Sequence, residues 1–443
     1  MRHLSLSFTL SLITIFSALY AAPKSKPNIL FIFADDWGRH ASIYKDLEGS
    51  GTVNDVIKTP NFDQLAKEGV LFKQAYVSAP SCTPCRSSIL SGMHFWQTGS
   101  ASVLCSTWDF NLPAYPLIME ENGYSIGYSY KVWSPGSPRN APHGGSRAMY
   151  NKAGSKMNGF SFQVTNKMNK GMDVEKAKNE ILKEVKQNFE EFLEKNGTDK
   201  PFCYWYGPTN VHRKWQKGSG KAIWGMDPDR LKGLMPPFLP DEHDVRQDLN
   251  DYLGEVQAFD ASIGVLIKKL KKEGLYKNTL IAISGDHGAP GFPHGKCNLY
   301  DFGSRVPLLV LGPGVKGGRV VDDFVSLPDL APTFLQTANI DIPEAMSAKS
   351  LWPVLKSNNE GQVDPTRSQV YTGLERHFPT ARTQGKTYPK RAIRTSDYLL
   401  IKNFKPGRDP MGEYFGLENG KTPSFSELEK NTAATIRDED AGP

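Results

Sequence analysis

Cysteine is scarce and odd in number: five of 443 residues, Cys82, Cys85, Cys105, Cys203 and Cys297. So few cannot frame a disulfide-built miniature. In an exported chain an odd count leaves at least one thiol unpaired, so one or two disulfides with a spare cysteine is the plain expectation. Beyond the first 22 residues no apolar run approaches the roughly 18 residues of a membrane span, which argues against stable membrane insertion. A dominant charge is missing too. The 53 basic and 47 acidic side chains leave a net charge of only +6. The lysine-rich stretches at 179–190 and 267–273 are charge-mixed and helix-like, and read as solvated faces. No basic patch is interleaved with aromatics, so nothing points to nucleic acid. There are no internal repeats. A composition of 39% hydrophobic and 23% charged residues excludes a disordered, collagenous or coiled-coil chain.

At the amino terminus, Arg2 and His3 precede an apolar, serine-rich run from Leu4 to Tyr20, and Ala21-Ala22-Pro23 follow. This is the pattern of a secretory signal peptide over 1–22. It predicts export to the periplasm or extracellular space. No cysteine near the cleavage point suggests a lipid anchor.

Short apolar runs then alternate with helical patterns. Ile29–Phe33 ends at Ala34-Asp35-Asp36, Phe202–Tyr206 at Gly207-Pro208-Thr209-Asn210, Leu280–Ser284 at Gly285-Asp286-His287-Gly288, and Val306–Leu311 at Gly312-Pro313. Continuous apolar runs of this length predict strands buried on both faces, as in a parallel sheet. Helical periodicity covers Asn61–Glu68, Tyr115–Glu121, Val174–Lys195 and Leu249–Glu273. The alternation predicts a doubly wound α/β sandwich, with ligands beyond the carboxyl ends of its strands. After about residue 355 the pattern changes. Three short strands near Gln369–Thr372, Ala392–Thr395 and Tyr398–Asn403 predict a small antiparallel sheet. The expected division is a catalytic domain over 23–355 and a C-terminal subdomain over 356–443.

The chemistry begins with Asp35-Asp36. Adjacent carboxylates directly after a buried strand repel one another unless a cation neutralises them. Asp286-His287 stands at the end of another strand, so the two pairs form a candidate divalent metal site. The segment Ser81-Cys82-Thr83-Pro84-Cys85-Arg86-Ser87-Ser88-Ile89-Leu90-Ser91-Gly92 reads as a loop entering a helix. Cys82 then sits at a helix N-terminus, which favours an anion, and Arg86 stands one turn further on. That is a nucleophile and a cation suited to an oxyanion substrate. Cys82 and Cys85 have C-x-x-C spacing, but a metal–thiolate site lacks a second Cys/His pair.

Cys82-x-Pro84-x-Arg86 followed by Ser-Ser-Ile-Leu-Ser-Gly resembles the signature of the type I, formylglycine-dependent sulfatases. Pro27–Asp36, Thr59–Ala66 and Ser284–Gly288 extend the likeness over nearly the whole mature chain. Gly291–Tyr300 and Val325–Leu335 are most similar to the heparan N-sulfatase (N-sulfoglucosamine sulfohydrolase) group. The resemblance implies an alkaline-phosphatase-like fold with a mixed sheet sandwiched by helices. It also implies oxidation of Cys82 to formylglycine by a maturation enzyme, and hydrolysis of sulfate or sulfamate groups on a sulfated saccharide. Asp35, Asp36, Asp286 and His287, with the modified Cys82, would hold Ca²⁺. Arg86 would fix the formylglycine hydrate, Lys131 would contact the sulfate, and His212 and Lys296 would stand near the leaving group. His294, His377 and Arg391 are further substrate-contact candidates.

There are departures from the family pattern. Lys131-Val132-Trp133 stands where a Lys-x-His is usual, Thr209-Asn210 replaces His-Asp, Cys85 replaces serine, and Asp286-His287 replaces Asp-Asn. A nitrogen donor is less typical of calcium, so Mg²⁺ and Mn²⁺ stay open as metals. The chain also stops soon after Asp438, where relatives continue, as a fragment or a short form would. Two other functions fit the same residues: a phosphodiesterase or phosphonate hydrolase of the alkaline phosphatase superfamily, and an inactive glycan-binding relative.

Overall fold

The computed structural model describes residues 26–197, 200–378, 381–408 and 410. The expected signal peptide and the stretch from 411 lie outside these residues. Nine strands precede the C-terminal region: β1 Asn28–Ala34, β2 Val70–Tyr76, β3 Ser106–Thr107, β4 Ser125–Tyr130, β5 Gly136–Ser137, β6 Phe202–Gly207, β7 Thr279–Gly285, β8 Leu308–Leu311 and β9 Arg319–Ser326. Seven of them form one sheet in the order β4-β6-β1-β7-β8-β2-β9, while β3 and β5 pair separately.

The continuous apolar character of β1 follows from its position. Side chains of a strand alternate between faces, and both faces here are covered. Leu30, Ile32 and Ala34 enter a core shared with Phe189 and Leu249, from the helices Val174–Asn196 and His243–Lys272. Ile29, Phe31 and Phe33 enter a second core with Ile89, Leu90 and Phe334, from the helices Cys82–Ser91 and Leu330–Thr337. No face is left for water, so no polar alternation appears in the sequence.

The Val306–Leu311 run differs from the parallel-strand expectation. Its regular strand begins at Leu308, and it is antiparallel to both β7 and β2. The chain between β7 and β8 turns back at one edge of the sheet with only the short helix Asp301–Ser304. A parallel return would need a crossover to the opposite edge. The helix expected from Leu249 begins at His243, because five of the six residues 243–248 are polar and so carry no apolar period. The other main-sheet strands run one way, so β1, β2, β4, β6 and β7 deliver their carboxyl ends to a common edge. The small antiparallel sheet is present as β10 Gln369–Leu374, β11 Lys390–Thr395 and β12 Leu399–Asn403. No helix among the described residues is long and apolar enough to cross a membrane.

No disulfide joins any of the five cysteines, against the expectation of one or two. Cys85 and Cys203 act as small core side chains. Cys82 and Cys85 are three apart on one helix, where Cβ atoms stand roughly 5–6 Å apart, beyond the separation of about 3.5–4.5 Å that a disulfide requires.

The helix His243–Lys272 carries a buried carboxyl, Glu255, which accepts from Ser161 N–H at 3.1 Å and from Asn210 Nδ2 at 3.0 Å. Burial pushes this acid from its ordinary 4.5 up to about 7. The native protein therefore keeps a proton that the unfolded chain releases near its ordinary value, and stability falls as pH rises through that window. The drop is on the order of 3 kcal/mol. Urea unfolding of Glu255→Gln between pH 4.5 and 7.5 should show a visibly flatter pH dependence than wild type, with Asp260, pushed up to about 6 by burial, left as a smaller contributor.

Candidate active site at the carboxyl edge of the sheet

From the end of β2 the chain turns through 77–81 into the helix Cys82–Ser91. Ser81 is extended, and Gly92 closes the helix in the left-handed region at φ 64°. Cys82 is its first residue and Pro84 lies in its first turn, as expected for a chain entering a helix. Every residue of this helix is buried. Buried hydroxyls therefore bond inward: Ser87 Oγ donates to Ala101 O at 2.8 Å and Ser88 Oγ to Cys85 O at 2.6 Å. The Cys82 thiol lies 3.6 Å from His287 Nε2. Burial, reinforced by the neighbouring Asp35 carboxylate, pushes the thiol far above its ordinary range. As cysteine it is not a thiolate nucleophile at neutral pH.

Arg86, fully buried, ties two strand ends together. Its Nη2 donates to Asp35 Oδ1 and its Nε to Asp286 Oδ2, both at 2.9 Å, and its Nη1 to Val132 O at 3.0 Å. Lys131, at the end of β4, donates to Asp35 Oδ2 at 2.7 Å. Burial works to raise the Asp35 acid, but Lys131 and Arg86 outweigh it and hold the carboxyl well below the usual range. Asp35 is thus a charge-balanced anchor.

Asp36 is different. At φ 60° it turns its backbone N–H to Asp286 Oδ1 at 2.7 Å, and both of its carboxylate oxygens are buried with no hydrogen-bond partner among the described residues. Oδ1 faces His287 Nδ1 at 3.2 Å and Lys296 Nζ at 3.5 Å. Burial pushes this acid up. Burial likewise pushes the His287 imidazole down, to about 3, so the ring is neutral and keeps a lone pair for a ligand. Donor atoms of Asp36, Cys82, Asp286 and His287 lie within 4.8 Å of one another, and so do those of Asp35, Asp36, Cys82 and His212. Buried, unsatisfied carboxylate oxygens among such donors fit a divalent cation. All five expected metal residues are brought together, with His212 beside them.

His212 follows β6. Lys296, in the loop after β7, donates from Nζ to His212 Nε2 at 3.2 Å, and the other ring nitrogen contacts Arg213 O. His212 Nε2 is also 3.8 Å from Asp36 Oδ2. Lys296 is held in place by its own N–H on Ala289 O at 3.0 Å and by Cys297 N–H on Pro80 O at 2.8 Å.

Beside this centre opens a cavity of about 650 Å³, walled by the 291–300 loop and by residues after β10. Lys296, His294 and His377 line it. His377 Nδ1 shares a hydrogen bond with Ser81 Oγ at 2.8 Å, and Phe378 packs with Cys82. Arg391, expected to contact substrate, does not line the cavity. Its guanidinium is bonded to Glu375, which does line the cavity, at 2.5 Å and lies over the Phe95 ring. Its backbone pairs with Gly373 of β10. Trp133, at the departure from Lys-x-His, is fully buried against Trp108, so it serves the core. The sequence reading passed over Glu255, Arg382 and Lys390. Glu255 looks like one charge of a long helix, and Arg382, in an irregular stretch, and Lys390, at the start of β11, are marked only by a local excess of bases.

The sulfatase family model matches residues 27–340. The chain belongs to the sulfatase family. A second family model, N-sulphoglucosamine sulphohydrolase, C-terminal, matches residues 287–420. This sulfatase is 26% identical to the N-sulphoglucosamine sulphohydrolase of Homo sapiens, over 93% of its own length and 80% of the relative's. It is 28% identical to an ulvan-active sulfatase of Formosa agariphila, over 85% of its length and 73% of that protein's. A solved structure of a protein in complex with its substrate D-glucosamine-2-N,6-O-disulfate shares the fold, with a TM-score of 0.60 at 20% identity, covering 94% of this chain and 99% of that one.

Proposed function

We propose that this sulfatase uses formylglycine, formed from Cys82 by a maturation enzyme, to hydrolyse sulfate groups of a sulfated saccharide, after export and removal of residues 1–22. Residues 23–355 form the catalytic domain and 356–443 a C-terminal subdomain. The observation that carries the reading is Cys82 at a helix N-terminus among Asp35, Asp36, Asp286 and His287, with Arg86 and Lys131 balancing the charge. The likeness to N-sulphoglucosamine sulphohydrolase, in both the main and C-terminal parts, supports a sulfated amino sugar.

In this reading mature Cys82 supplies a hydrated aldehyde oxygen that attacks sulfur as the sugar oxygen or nitrogen leaves, and the second hydroxyl of the hydrate then expels sulfate and restores the aldehyde. Asp35, Asp36, Asp286 and His287, with the modified Cys82, would hold Ca²⁺, Mg²⁺ or Mn²⁺, which when bound polarises sulfate oxygens and favours ionisation of the hydrate. Arg86 fixes the two carboxylates on which that geometry depends. Lys131 and Lys296 offer preorganised positive charge to the sulfate, where it counts most in the transition state. The Lys296–His212 pair holds a proton beside the leaving group and can deliver it to a sugar oxygen or nitrogen.

His212→Ala should therefore lose roughly 10²–10⁴-fold in kcat on a sulfated sugar and far less on nitrophenyl sulfate, whose leaving group needs no proton. Equal losses on both would assign His212 to sulfate binding instead. Nitrophenyl phosphate, run beside them with matured enzyme, should be the poorer substrate. A clear preference for phosphate would overturn the sulfatase reading in favour of a phosphoryl hydrolase.

A further inference from the structure

The cavity is larger than one sulfate needs. At about 650 Å³ it falls in the range of roughly 300–1,000 Å³ typical of whole small-molecule sites. Its wall carries four cations, Lys296, Arg376, Arg382 and Lys390, and one acid, Glu375, which is already bonded to Arg391. Lys296 points at the centre that would take the scissile sulfate. Lys390, the first residue of β11, points elsewhere.

The Lys390 Nζ donates to the carbonyl of Cys297 at 2.6 Å. That bond fixes the ammonium beside the peptide that follows Lys296, on the cavity wall. It uses one of three ammonium donors. No carboxylate lies within ion-pair distance of Lys390 among the described residues. A largely enclosed cation with a single carbonyl acceptor is costly to bury, and the cost is relieved when an anion arrives. Burial, with Arg382 close by, pushes the Lys390 amine below its ordinary range, which is the response of a cation lacking a counter-ion.

We propose that Lys390 is the receptor for a second anionic group of the substrate, a sulfate or a carboxylate, so that the enzyme acts on saccharides bearing another negative charge besides the sulfate it removes. The inference rests on the cavity being the sulfatase substrate site.

The test compares matured wild type, Lys390→Met and Lys390→Arg. The substrates are a monosulfated amino sugar, the same sugar with a second sulfate, and the monosulfated sugar joined to a uronate. Wild type should favour a doubly anionic substrate over the monosulfated sugar, mainly through KM, by roughly 10–100-fold in kcat/KM, the worth of one charge-assisted hydrogen bond. The doubly sulfated and uronate arms identify which anion is read. Lys390→Met should erase that preference, and Lys390→Arg should keep much of it. A Lys390→Met loss that is equal on all three substrates, or a wild type indifferent to the second charge, overturns the proposal. Failure of wild type to cleave any sulfate would overturn the sulfatase reading itself, and is distinguishable because it appears before any variant is compared.

Discussion

Cys82→Ala is expected to abolish sulfate hydrolysis, by on the order of 10⁶-fold as for loss of a nucleophile in other hydrolases, while the protein still folds. The side chain is small and makes its closest polar approach to His287, with Leu104 and Phe378 as apolar neighbours. The helix it opens is held by many other buried contacts. Removing the sulfur leaves the Arg86 bridges to Asp35 and Asp286 intact. Unmodified Cys82 is itself a poor nucleophile, because burial and then Asp35 oppose the thiolate. In the proposed reading the attacking oxygen comes from its oxidised form. Thermal melting should be close to wild type, and turnover of both aryl and sugar sulfates should fall below detection. Substantial residual activity in the alanine variant would mean that the attacking group lies elsewhere.

Asp36→Asn should remove the metal and most of the activity together. Asparagine keeps the shape, but it takes away the charge of the one carboxylate in the cluster whose two oxygens have no hydrogen-bond partner among the described residues. Asp35 and Asp286 are each bonded to Arg86, so replacing either would also disturb the frame. A catalytic cation is worth several kcal/mol of transition-state stabilisation, so kcat should fall roughly 10³-fold or more. Elemental analysis after dialysis should show metal in wild type and none in the variant, with Ca²⁺, Mg²⁺ and Mn²⁺ tested in turn for restoring activity to stripped wild type. Full activity and full metal content in Asp36→Asn would refute the assignment of this carboxylate.

The sheet and its reactive edge were legible in the sequence because burial on both faces leaves unbroken apolar runs. In such a fold the residues immediately after those runs converge. Asp35-Asp36 and Asp286-His287 could thus be placed before any coordinates, and Cys82 and Arg86 by their helix-entry motif. What stayed hidden depends on contacts distant in sequence. The direction of β8 is set by a return loop, and nothing in Val306–Leu311 itself distinguishes parallel from antiparallel pairing. The thiols look alike in sequence, and only their placement shows that no disulfide joins them. Arg391 and Lys390 are adjacent in one strand and so project to opposite sides. The cavity contact falls to Lys390, a choice that depends on where the Cys297 carbonyl lies. Glu255 gains its role from Ser161 and Asn210, which reach it from other segments.

The central claim is that the reactive group is made from Cys82. The most direct measurement is the mass of the peptide spanning Ser81–Gly92, taken from enzyme produced with a formylglycine-generating partner and assayed in the same preparation. The account predicts a peptide lighter by the exchange of the thiol for an aldehyde, in a fraction that rises in step with specific activity across preparations of differing maturation. Fully active enzyme whose peptide carries unmodified cysteine would contradict it.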